Sequence, residues 1–179
     1  MIDTTRTRLR PLSMDDVHEL YAYRSLHEVY KYHLWAPQTV DDAKTFIEKY
    51  SVTAEITPGH WKQFGIYLRS DEALIGDCGF CIFEEEQAEI GFTISPKYQR
   101  RGYGIEVVRA LIDYLFTKHN LHRIIAKTYP PNVGSKTLLE RLHFRQEAHL
   151  IKCVKVRGEW QDDLVYALLR EEWRNPAGQ

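Results

Sequence analysis

With 179 residues, 44% of them apolar and 27% charged, the chain has the composition of one ordinary globular domain and is short for two. A net charge of −1 gives no electrostatic case for nucleic acid or an anionic membrane as the main partner. No apolar segment of signal-peptide or membrane-span length occurs, so a cytoplasmic location is the expectation.

Arg6 to Leu12 alternates and predicts a first strand. Ser13-Met-Asp-Asp16 reads as a capping box for a helix running to about His27, with Val17, Leu20 and Tyr21 at helical spacing. An aromatic stretch from Val29 to Pro37 follows, and Thr39-Val-Asp-Asp42 caps a second helix carrying Ala43, Phe46, Ile47 and Tyr50 on one side. Beyond Pro58-Gly59 the chain predicts strands at 61–69, 73–83 and 88–95, the last two joined by the acidic turn Glu84 to Gln87. Ile105, Val108, Leu111, Ile112, Leu115 and Phe116 then form the stripe of a helix packed on a sheet. Arg123 to Tyr129 is a strand that completes a crossover, Asn132 opens a helix to about Leu142, and 144–156 with 160–169 predict a hairpin about Arg157-Gly158. Residues 1–179 are expected to form one domain, with 170–179 a loose tail.

Cys78 and Cys81 have CxxC spacing, yet residues three apart on a strand face opposite ways, so inert thiols are expected. The eight histidines show no metal-ligand spacing; His119 and His122 read as structural, and no metal is expected.

Gln99-Arg-Arg-Gly-Tyr-Gly104 lies between the 88–95 strand and the long helix. A glycine-bearing basic turn at a helix N-terminus suits phosphate, because orphan N–H groups and the dipole favour an anion there.

This segment fits the Q/R-x-x-G-x-G/A loop of the GNAT acyl-CoA-dependent N-acetyltransferases. The opening Thr5 to Leu12, the Glu89-Ile-Gly-Phe92 strand, the Asn132–Ser135 helix start, Leu139 to Phe144 and the late Trp160 to Tyr166 resemble that family's RimJ/RimL-like branch, which includes ribosomal-protein N-terminal acetyltransferases. The resemblance implies an α/β (α+β) fold. Its mixed, mostly antiparallel central sheet of about seven strands would be flanked by helices and hold a splayed parallel pair at the acyl-CoA site. It also implies transfer of an acetyl group from acetyl-CoA to a primary amine, for which a protein N-terminus is one acceptor. A polyamine, an amino acid or an aminoglycoside-like amine is the alternative, and a non-catalytic acyl-CoA sensor a third. A polycation would demand an acidic cleft, for which Glu84–Glu86, Glu89, Asp162 and Asp163 are candidates. The expected partners are acetyl-CoA and the amine, with a homodimer as a further candidate and neither DNA nor membrane.

Residue by residue, the resemblance places the pyrophosphate on the backbone of Arg100 to Ile105, with charge from Arg100 or Arg101. The cofactor-binding set is Phe92, Thr93, Ile94, Gln99, Arg100, Arg101, Gly102, Tyr103, Gly104, Ile105, Asn132 and Ser135. Glu89, on the strand face opposite Ile90 and Phe92, is the candidate general base through water, against the plain reading of an exposed carboxylate. Ser135 either caps its helix or donates to the departing sulfur. Tyr32, Trp35, Glu89 and Trp160, with Tyr30 and His33, are candidate acceptor-cleft residues. Two departures stand out: His143 replaces the branch's usual glycine, and Leu139 replaces the tyrosine with which many GNAT enzymes protonate the thiolate.

Overall fold

The computed structural model describes residues 1–51, 56–84 and 86–174, with no side-chain description at Glu84. Eight strands form one sheet in the order β1-β2-β3-β4-β5-β6-β8-β7: β1 (Ile2–Asp3), β2 (Thr7–Arg10), β3 (Trp61–Leu68), β4 (Leu74–Glu84), β5 (Gln87–Ile94), β6 (Arg123–Thr128), β7 (Arg145–Val156) and β8 (Glu159–Leu169). All neighbours are antiparallel except β5 and β6. The short β1, where Ile2 registers with Leu9, is the strand beyond the expected seven.

Strand alternation sorts the sheet into two cores. On β3, Phe64 and Ile66 join the cluster covered by α4 (Tyr103–Lys118), whose Val108, Leu111, Ile112 and Leu115 are fully buried. Tyr67, of opposite parity, joins Leu12, Val17, Leu20, Ala43 and Ile47 under α1 (Val17–Arg24) and α3 (Val40–Tyr50). The Thr39 capping box forms as the sequence predicts: Asp42 N–H donates to Thr39 Oγ1, and Thr39 N–H to Asp42 Oδ2.

The single helix expected from Ser13 to about His27 is instead three pieces. A 3-10 turn (Met14–Asp16) leads into α1, Leu26 adopts an extended backbone, and α2 (His27–Tyr30) follows. The break falls directly after Tyr23 and Arg24, both tied to Asp77 on β4. Residues 170–174 also depart from the expected loose tail: they form α6 (Arg170–Arg174), where Glu172 pairs with Arg145 and Trp173 Nε1–H donates to Asp113. The rest of that expected tail, 175–179, lies outside the described residues. Among the described residues no helix is long and apolar enough to cross a membrane.

His143, after α5 (Val133–Arg141), sits at φ 64°, the left-handed conformation that the expected glycine would adopt without penalty. The turn keeps its glycine geometry around a side chain.

Candidate active site

β5 and β6 pair in register only from Gln87↔Arg123 to Ile90↔Ala126. Past that point β5 continues along β4 and β6 along β8, so the sheet opens between them. The Ser95 N–H donates to the Ile75 carbonyl, which directs the odd-numbered main-chain groups of β5 toward β4. Those of Phe92 and Ile94 consequently face the opening.

At the far end of β5 stands the glycine turn. Gly102 is left-handed at φ 82° and Arg100 at φ 58°. The first bond of α4 runs from Glu106 N–H to the Gly102 carbonyl, and among the described residues the N–H groups of Arg100 to Ile105 have no acceptor in the chain. Six donors without intrachain acceptors at the start of a sixteen-residue helix are an arrangement suited to an anion. Arg100 and Arg101 are exposed beside it, without an ion pair among the described residues.

Two features of the turn are absent from the sequence reading. Arg6 donates to the Arg101 carbonyl (3.0 Å), ion-pairs with Glu106 (2.7 Å) and stacks on Tyr103, anchoring the turn to the start of β2. Gln99 is occupied, its Nε2 donating to the Ile94 carbonyl at 2.8 Å. Gly104 is also tighter than a phosphate approach alone requires, since a Cβ there would lie 2.8 Å from Leu138 Cδ1 on α5.

On the other side of the opening lies a cleft of about 850 Å³. Its lining brings together Tyr32, His33 and Trp35 from the aromatic stretch, Glu89 and Thr93 from β5, Lys127 and Tyr129 at the end of β6, and Asp163 from β8. Trp35 stacks on Phe46 (4.7 Å, 10°), fixing one wall. Trp160, 58% exposed on the hairpin, is outside this lining, and Trp61 stands in the cleft instead. Ser135 and Asn132 are outside it too. Asn132 Oδ1 accepts from Ser135 N–H, so its side chain serves as the helix cap. Leu139 is fully buried in the core. Cys78 and Cys81 are buried, and Cys153 is exposed at the cleft edge; all three thiols are free.

The electrostatics of the cleft are balanced by pairing. Glu89 forms an ion pair with Lys127 at 2.9 Å. Asp163 has its carboxyl pushed above the usual range by burial, aided by Glu89's charge and opposed by Lys127. His33 bonds Thr93 Oγ1 at 3.2 Å and has its pKa lowered to about 4 by burial and by Arg24, so it is neutral at pH 7. Beneath them Asp77, fully buried, accepts from Tyr23 Oη–H (2.6 Å), from both Nε and Nη2 of Arg24, and from Gln63. Of the expected acidic contributors, Asp162 is engaged with His149 and the Lys152 N–H. Glu86 is exposed in its turn, while Glu85 and the Glu84 side chain lie outside the described residues.

The Acetyltransferase (GNAT) domain family matches residues 6–145. The chain is 35% identical over 173 residues to the uncharacterized N-acetyltransferase YnaD of Bacillus subtilis (strain 168), covering 96% of this chain and 98% of that one. A solved GNAT-family acetyltransferase from Bacillus anthracis superposes with a TM-score of 0.86 at 32% identity, over 96% of this chain and 99% of that one. The ribosomal protein uS5-alanine N-acetyltransferase of Escherichia coli (strain K12) is 29% identical over 113 residues, 62% of this chain and 58% of its own. A sheet that opens between its one parallel pair, beside a helix N-terminus suited to an anion, has the same meaning as these relationships: the chain belongs to the GNAT acetyltransferases.

Proposed function

We propose that this acetyltransferase moves the acetyl group of acetyl-CoA to a protein or peptide N-terminal α-amine by direct attack with both substrates bound. The N–H groups of Arg100 to Ile105 suit the CoA pyrophosphate, with Arg100 and Arg101 adding charge. The main-chain groups of Phe92 and the Ile94 N–H, which face the opening, suit the pantetheine amides and the thioester carbonyl, while the Ile94 carbonyl is already taken by Gln99. Glu89 and Asp163, coupled through Lys127, form the carboxylate pair that takes the amine proton.

The observation that carries the acceptor reading is the charge balance of the cleft. Lys127 pairs with Glu89, Arg24 is answered by Asp77 beneath, and Asp42 is committed to its cap. Among the described lining residues, that leaves Asp163 as the carboxylate with neither a salt bridge nor a cap to hold it, and Lys49 as a cation without an ion pair, a balance too poor in negative charge for a polycation and enough for one amine. An α-amine, with a reference pKa of about 8, also gives up its proton more readily than lysine at about 10.4. The uS5-alanine enzyme, by its name, acetylates an alanine of a ribosomal protein, a protein acceptor and not a polyamine.

The test is CoA release with an acceptor panel. Peptides with free N-termini are expected to exceed spermidine and N-blocked lysine peptides in kcat/KM by at least about tenfold. A spermidine preference would reverse the assignment, and CoA binding without turnover on any amine would restore the sensor. The donor side is tested by Gly104→Val. Its branched side chain would drive α5 away from α4 at Leu138 and disturb the N–H cradle, raising the acetyl-CoA dissociation constant about tenfold by calorimetry. Unchanged affinity would place the pyrophosphate elsewhere.

A further inference from the structure

Tyr129 is buried at the end of β6, lines the cleft, and its hydroxyl has no hydrogen-bond partner among the described residues. A buried, unpaired hydroxyl lowers stability, and such groups are rare in folded proteins. Its placement says what it faces. The last paired residues of the parallel strands are Ile90 and Ala126, so three residues further on Tyr129 stands level with Thr93, across the opened sheet. The antiparallel register that pairs Thr128 with Leu164 sets it beside Asp163 on the neighbouring strand. Lys127 and Tyr129 share one face of the chain, as do Glu89 and Thr93, and all four line the cleft.

We propose that the Tyr129 hydroxyl is the group that donates to the CoA sulfur as it leaves, the role for which Leu139 has no proton. The inference rests on the acetyl-CoA reading given above. In the step, the amine nitrogen forms a bond to the thioester carbonyl carbon and the C–S bond breaks, its electron pair staying on sulfur. The sulfur takes the Tyr129 proton and becomes the CoA thiol. The phenolate regains a proton from the Glu89–Asp163 pair, which received one from the amine, so the products are acetylated amine and free CoA. Burial and the charge of Asp163 raise the Tyr129 pKa, with Arg157 opposing, so the phenol is protonated and able to donate at neutral pH. Ser135, the hydroxyl suggested by resemblance, lies outside the cleft lining, with its N–H held by Asn132.

The decisive measurement needs no acceptor. A hydroxyl that donates to the departing sulfur also stabilises the thiolate of bound CoA, and so lowers that thiol's pKa. In a titration followed by thiolate ultraviolet absorbance, Tyr129→Phe is expected to raise the bound-CoA thiol pKa by about one unit. With a competent acceptor the same variant should lose about 10²-fold in kcat, while CoA affinity and acceptor KM stay within about threefold. Its melting temperature should hold or rise, because the unpaired hydroxyl is gone. An unchanged thiol pKa in Tyr129→Phe, or a shift produced by Ser135→Ala instead, overturns the assignment while leaving the acetyl-CoA reading intact. Absence of CoA binding by the wild-type protein, seen by calorimetry, overturns both.

Discussion

Replacing Asp77 with alanine is expected to destabilise the protein by about 3–5 kcal/mol, the cost of stranding a buried charge. Asp77 is inaccessible and accepts from three side chains: Tyr23, Arg24 through two nitrogens, and Gln63. Removing it leaves the Arg24 guanidinium buried without its counter-ion, and two further donors without partners. Urea unfolding monitored by fluorescence reads the loss directly. The paired change Asp77→Leu with Arg24→Met separates the mechanisms, since removing both charges together should recover most of the stability. If the double variant is as unstable as Asp77→Ala, the penalty comes from lost packing and not from the uncompensated charge. Arg24 and Gln63 also line the cleft, so the single variant should raise acceptor KM well before it unfolds.

Asp77 also shows where sequence reading ends. A lone aspartate in the apolar run Leu74-Ile-Gly-Asp-Cys-Gly-Phe80 is visible as an anomaly, but its partners lie 14, 53 and 54 residues away. Nothing local announces that α1 ends at Arg24 to reach it. Elements whose cause is local were legible: the Thr39 capping box, the apolar stripe of α4, and the turn at Arg157-Gly158, where both residues take positive φ. The glycine turn was legible as the turn that opens α4, because its geometry resides in consecutive backbone groups. Its anchoring by Arg6, about a hundred residues upstream, was not. The acceptor side was least legible. Trp160 reads like a cleft aromatic by residue type, yet on the hairpin it is 58% exposed and outside the lining that Trp61 joins. Tyr129 carries no motif; it becomes conspicuous only when its hydroxyl is found unpaired.

Asp163→Asn and Glu89→Gln are each expected to lower kcat by about 10²-fold, with acetyl-CoA affinity unchanged, and the double variant should cost little more than either single. Non-additivity is the mark of a pair acting as a unit through Lys127, which holds Glu89 at 2.9 Å and also lowers the Asp163 pKa. The pH dependence separates their parts. Burial, with Glu89's charge behind it, raises Asp163, so the acid limb of kcat in the wild-type enzyme should lie above the ordinary carboxylate value. Glu89→Gln removes one raising contribution and leaves Lys127 unpaired, so the residual activity should show that limb at lower pH. Asp163→Asn should remove it. Stability moves in the opposite sense to activity. A carboxyl raised on folding destabilises the native state once pH rises above its unfolded pKa, and the penalty vanishes below it. Asp163→Asn should therefore melt no lower than wild type at pH 7 to 8 while turning over far more slowly. Wild-type rates for Glu89→Gln across the full pH range would remove Glu89 from the chemistry and leave Asp163 to act alone. Wild-type rates for Asp163→Asn would return the role of base to Glu89, with Asp163 no more than a wall of the cleft.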